Sequence, residues 1–170
     1  ARKWRQITSL GRMLDPIADK AMTIIALAML AVLLNGTSLF VIPAMAIILR
    51  EVFISGLREF LGGRTITLPV TWMAKWKTAV QMVAICIFFA HLLFEHYYVI
   101  QAYAMERDQV IAIVTGQAED LFGLRWKYLA WDYSYKTGIV MIWLAAVLTL
   151  ITGWDYFKKS LPYFADEDQP

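Results

Sequence analysis

A single cysteine in 170 residues, Cys86, lies inside an apolar run, so neither a disulfide framework nor a cysteine-based metal site is available. Charge is equally scarce. Only 18% of residues are charged against 59% hydrophobic, with a mean hydropathy of +0.53, well outside an ordinary soluble domain. The long charge-sparse runs argue for a bilayer. A net charge of +2 gives no argument for nucleic acid. No P-loop, GxGxxG, nucleophile elbow or Cys/His cluster occurs, which removes the commoner nucleotide-binding and hydrolytic chemistries. Internal repeats and a soluble domain boundary are also missing, and the opening residues do not read as a cleavable signal peptide.

Acids are missing from two particular places. Arg2, Lys3, Arg5 and Arg12 precede the first carboxylate, Asp15, and the stretch from Leu61 to Trp76 carries Arg64 and Lys75 but no acid. Both basic segments belong on one membrane face, which the positive-inside rule assigns to the cytoplasm. Residues 95–135 hold Glu95, Glu106, Asp108, Glu119, Asp120 and Asp132 among many Tyr and Trp residues. That composition suits the opposite face, as a periplasmic loop with an interfacial helix or two. VIAIV (110–114) is too short to cross, and His91 and His96 read as interfacial polar residues rather than a metal site.

Hydrophobic runs predict four transmembrane helices over about 16–34, 38–60, 77–94 and 137–153, with a turn at Asn35-Gly36-Thr37. The fold class expected is an all-α polytopic membrane bundle, one embedded domain over 1–164 with an acidic disordered tail at 165–170. Asp15-Pro16 reads as a helix cap followed by proline at the first helical position. Capping would explain Asp15 but not Asp19, four residues on and facing the same way, within ~6 Å. Two carboxylates where a basic segment meets an apolar helix call for a cation between them, and a hard divalent ion takes oxygen ligands. On the second helix Arg50 and Arg58 are about 80° apart in azimuth and two turns apart along the axis. Snorkelling with intrahelical ion pairs is the plain alternative for both. Arg50, beside an uninterrupted apolar half-helix, is the stronger functional candidate.

The run ARKWRQITSLGRMLDPIADK carries Ala1-Arg2, Gly11, Asp15 and Asp19 at the spacing A-R-x8-G-x3-D-x3-D, which resembles the second half of the CDP-alcohol phosphotransferase signature. LDPIADK (14–20), Arg50-Glu51, Arg58-Glu59, PVTWMAKWKTAVQM (69–82) and GWDYFKKSLPY (153–163) resemble the glycerol-3-phosphate-using branch of that family. The resemblance implies a six-helix membrane enzyme. It would move a phosphatidyl group from CDP-diacylglycerol to the primary hydroxyl of glycerol 3-phosphate, releasing CMP and phosphatidylglycerophosphate. It implies Asp15 and Asp19 as ligands of Mg²⁺ or Mn²⁺ in a two-metal site, with Asp19 also the general base. Arg2 and Gly11 would serve the nucleotide and diphosphate. Arg50, Arg58, Lys75 and Lys77 are acceptor-phosphate candidates from position and charge. A homodimer in the bacterial inner membrane, its active site facing the cytoplasm, is implied as well. The signature's opening D-x2-D-G would precede Ala1, so a two-metal site needs carboxylates beyond these, and the 170 residues alone are expected to be silent. Synthesis of phosphatidylinositol phosphate, cardiolipin or phosphatidylserine stays open on the same Asp spacing. A transporter or channel segment is the reading from another class, though its charges should then run through the membrane thickness.

Overall fold

A computed structural model describes residues 9–61 and 72–165, all helix, turn or short connection, with no strand among them. The helices are α1 (Ser9–Leu33), α2 (Ser38–Leu61), α3 (Trp72–Tyr103), α4 (Arg107–Thr115), α5 (Leu124–Ser160) and α6 (Pro162–Ala165). Two compact units divide the chain, residues 1–68 with 150–170 and residues 69–149, so α5 contributes to both.

In the first unit α1 and α2 form a hairpin. Asn35 and Gly36 both take positive φ (53° and 64°), the left-handed backbone that Asn and Gly accept most readily, and Thr37 Oγ1 donates to the Leu34 carbonyl at 2.8 Å. Leu27, Leu30 and Leu34 are buried on α1, with Phe40, Ala44 and Ile47 buried on α2. Their spacing of three and four residues is one helical stripe on each partner. The α2 stripe continues at Ile54, Leu57 and Leu61, against which Tyr156, Phe157 and Phe164 pack. Paired contacts climb both helices together, Arg50 on Gly153 and Phe53 on Phe157 at 5.7 Å, so α2 and the end of α5 run in the same direction, and Phe60 goes on to meet Phe164 of α6 at 5.3 Å.

The second unit is an antiparallel pairing of α3 with α5. Tyr98 stacks on Trp131 at 5.7 Å, His91 reaches Tyr135 at 5.3 Å, and Phe88 lies against Gly138. Position falls on α3 as it rises on α5. Phe88 and Ile142 are fully buried between them.

Three helices are long and apolar enough to cross a membrane: Ser38–Leu61, the Trp76–Tyr103 part of α3, and Leu124–Ser160. The shorter apolar stretch Lys20–Leu33 belongs to α1. Large apolar side chains are exposed along these helices, among them Met22, Ile25, Met45, Leu49, Val140 and Leu150, as lipid-facing surfaces require. The chain is a multi-pass membrane protein.

Several expectations are corrected. Asp15 is not a cap: α1 begins at Ser9, so Asp15 and Pro16 lie inside it. Residues 95–135 are not mainly loop. α3 runs on to Tyr103 and α5 starts at Leu124, leaving only a short connection that holds α4. The aromatic residues assigned to an interfacial loop instead stack across the α3–α5 pair and carry both helices past the apolar core. His91 is 4% exposed, with Nδ1 at 3.0 Å from the Trp131 carbonyl, so it belongs to that packed pair; His96 is exposed. Of the basic stretch Leu61–Trp76, Leu61 and 72–76 are helical and the middle lies outside the described residues, as does the tail from 166.

The start of α5 is set by Asp120, whose two carboxylate oxygens accept from the Leu124 and Arg125 N–H groups at 2.8 and 3.0 Å. Desolvation alone would raise its pKa. The N–H groups of Leu124 and Arg125, with those of Phe122 and Gly123, outweigh that and hold the carboxyl below its ordinary value. The folded state therefore favours the charged form. Its stabilisation is in place above the ordinary carboxylate pKa of about 3.9 and is lost as pH falls through the folded value. Asp120→Ala is accordingly expected to speed amide exchange at Leu124 and Arg125 relative to the parent at neutral pH. The difference should vanish once the parent's carboxyl is protonated. Equal exchange at neutral pH would remove the capping role.

Candidate functional site

The α1–α2 hairpin brings acidic and basic positions to matching heights. Counted from the turn at 1.5 Å per residue, Asp19 stands about 21 Å along α1 and Arg50 about 18 Å along α2. By the same rise Asp15 and Arg58 stand at about 27 and 30 Å. Asp15 and Asp19 are one turn apart on one continuous helix, hence on one face of α1. Because α5 runs parallel to α2 in this unit, its last turn, with Lys158 and Lys159, ends at the same basic end as Arg58.

Arg50 and Glu51 occupy the buried stripe of α2, three and four residues after Ile47 and directly before Ile54. The Arg50 side chain is only 14% exposed. Its Nη1 donates to Glu51 Oε1 at 3.1 Å and its Nη2 to Thr152 Oγ1 at 3.5 Å. Its Nε–H is buried with no hydrogen-bond partner among the described residues. Ala46, Leu49, Phe53, Trp154 and Phe157 line a cavity of about 320 Å³ on which Arg50 opens. A guanidinium with an unmet donor beside an apolar trough calls for an explanation, and a bound anion is one. Arg58 differs: exposed, it lies over the Tyr156 ring at 5.8 Å. Both arginines thus meet the same stretch of α5, Arg50 at Thr152 and Gly153 and Arg58 at Tyr156.

The remaining site residues divide between the units. Gly11 lies in the first turn of α1, Arg2 lies outside the described residues, and Lys75 and Lys77 open α3 in the second unit. Lys77 is 5% exposed, with Gln81 one turn on at 4%. Among the described residues no cluster of three or more His, Cys, Asp or Glu side chains gathers to hold a metal. Thr152, Gly153 and Tyr156 were given no role from the sequence. The signals were the polar and small run Thr149, Thr152, Gly153 interrupting the last apolar helix and the resembling segment GWDYFKKSLPY (153–163), which holds Gly153 and Tyr156.

The CDP-alcohol phosphatidyltransferase family profile matches residues 1–152, and the chain belongs to that family. Among its relatives, the CDP-diacylglycerol–glycerol-3-phosphate 3-phosphatidyltransferase of Cereibacter sphaeroides is 45% identical, covering 98% of this chain and 76% of its own. Proteins of the same name from Rickettsia bellii and Haemophilus influenzae are each 33% identical, over 96% and 99% of this chain and 70% and 71% of theirs. No solved structure matches significantly.

Proposed function

We propose that the protein carries out phosphatidyl transfer from CDP-diacylglycerol to the primary hydroxyl of glycerol 3-phosphate, yielding phosphatidylglycerophosphate and CMP, with carboxylates beyond Asp15 and Asp19 required, so that these 170 residues alone are silent. The observation that carries the reading is the hairpin register, which sets an acidic pair of positions on α1 level with two arginines on α2. Two hard oxygen donors one turn apart fit a divalent cation. Asp15 and Asp19 would hold Mg²⁺ or Mn²⁺, together with ligands beyond these two, and the ion when bound supplies charge neutralisation at the diphosphate.

Asp19 accepts the proton of the acceptor hydroxyl. The hydroxyl oxygen forms a bond to the lipid phosphorus, the bond from that phosphorus to the CMP oxygen breaks, and CMP leaves with the electron pair. Arg50 holds the acceptor phosphate through its fork of donors, with Arg58 at the rim. Lys75 and Lys77, at the head of α3, are further acceptor-phosphate candidates by charge, and Arg2 and Gly11 serve the nucleotide and diphosphate. α1, about 38 Å long at 1.5 Å per residue, is the fourth crossing. Arg58, Lys158 and Lys159 mark the cytoplasmic end of a bacterial inner-membrane protein by the positive-inside rule. The homodimer and the six-helix whole belong to this reading through the family.

The test is CMP release from CDP-diacylglycerol in mixed micelles with Mg²⁺, using the native-length protein. Glycerol 3-phosphate, glycerol, serine and inositol phosphate are offered separately. Release with glycerol 3-phosphate should exceed that with glycerol or serine by about 100-fold or more, because a buried arginine fork rejects an acceptor lacking the phosphate, and should also exceed that with inositol phosphate, which carries the anion on a bulkier ring. Preference for another acceptor would move the activity within the family, and no release from folded protein would end the enzymatic reading.

A further inference from the structure

Arg50 lies against α5 at Gly153, where that helix offers no side chain. A Cβ built on Gly153 would stand 2.9 Å from Arg50 Cγ and 3.2 Å from its Nε. Cγ is set by the first side-chain torsion, so relief of that contact requires χ1 to rotate and carries the whole guanidinium with it. A clash at the flexible tip could relax locally; this one cannot. In the helix interior glycine is disfavoured relative to alanine, so its presence needs a reason. The usual reason in membrane helices is close approach of two backbones. Here the close neighbour is the stem of a cation.

Thr152, the preceding residue, receives Nη2 at 3.5 Å, while Glu51 holds Nη1 at 3.1 Å. One helix thus supplies the arginine and a carboxylate for one corner of its fork, and the other supplies the space for its stem and a hydroxyl for the other corner. We propose that Gly153 and Thr152 are positioning residues for Arg50, the missing Cβ and the hydroxyl together fixing where the guanidinium meets the acceptor phosphate. The inference rests on Arg50 being the acceptor-phosphate ligand. It adds that the selectivity of that ligand is set in part from α5, by two residues that hold the arginine rather than the phosphate.

The experiment is a double-mutant cycle on the native-length protein, read by both kinetics and unfolding. Gly153→Ala should raise the glycerol 3-phosphate KM about 10-fold or more, as displacement by about 1 Å does, with the CDP-diacylglycerol KM moving less than about twofold. Thr152→Val should raise the same KM by about threefold and Thr152→Ser should restore it, a lost neutral contact being smaller than a displaced charge. On an Arg50→Ala background Gly153→Ala should change neither KM further. There it should raise the unfolding midpoint, where in the parent it lowers it, because the clash is gone and only helix propensity remains. Equal effects of Gly153→Ala with and without Arg50 would overturn the positioning. An acceptor KM unmoved by Arg50→Ala itself would instead overturn the acceptor reading, whatever the sign reversal in stability shows about the contact.

Discussion

Replacing Asp19 with Asn in the native-length protein is expected to slow CMP release by about 10³-fold or more, with helix content unchanged. The substitution preserves size and hydrogen-bonding shape but removes both the negative charge and the capacity to accept a proton. A positioned general base contributes about 10²- to 10⁴-fold. Losing a hard anionic donor at a cation site adds to that. The companion change Asp15→Asn separates the two roles. A residue that serves mainly as a metal ligand should be rescued in part by raising Mg²⁺, whereas no concentration restores a missing base. CMP release at saturating substrates, titrated with Mg²⁺ for each variant, reads this directly. Asp19→Asn protein retaining more than about a tenth of parental activity, or recovering fully with metal, would remove Asp19 as the base.

The fold was legible where hydrophobic pattern alone decides it. The Asn35-Gly36 turn and the ends of α2 follow from composition, because a left-handed turn and an apolar run have few other readings. Helix ends in the aromatic region were not legible. Tyr98, Tyr128 and Trp131 are as suited to an interface as to a helix, and what decides between them is that Tyr98 of α3 stacks on Trp131 and tilts against Tyr128 of α5. That is tertiary information. Pro16 misled in a similar way, since proline signals a first turn in isolation, yet α1 is already under way at Ser9.

At the site, the residue types were legible and their partners were not. Arg50 stood out as a charge in an apolar helix. What fixes it lies about a hundred residues further on, where Thr152 and Gly153 look from sequence like ordinary small residues of a membrane helix. Lys77 was expected at a helix mouth and is instead covered, a difference that only the packing of its surroundings reveals. The general limit is that spacing reports neighbours on one helix, whereas an anion site draws its donors from several.

Arg50→Ala is expected to raise the glycerol 3-phosphate KM by roughly 10- to 140-fold, with the CDP-diacylglycerol KM within about threefold of the parent. A charge-assisted hydrogen bond contributes about 1.5–3 kcal/mol, which at 1.4 kcal/mol per decade gives that range for loss of the fork. Arg50→Lys keeps the charge but not the two-pronged geometry, so it should recover only part of the loss. Arg58→Ala supplies the internal comparison. That arginine is exposed and lies over Tyr156, so solvent screens it and its effect on the same KM should be several times smaller, in line with the modest worth of exposed charges. The alanine variant of Arg50 also strips Glu51 of its guanidinium in a half-buried setting, so some loss of stability accompanies it. Stability and binding are separated by the lysine variant, which keeps a cation beside Glu51. Steady-state kinetics with each substrate varied in turn decides the matter. Equal shifts for the acceptor and the CDP-lipid would mean that Arg50 serves the fold or the diphosphate rather than the acceptor, and the same-sized effect from Arg58 would mean that burial is not what gives Arg50 its grip.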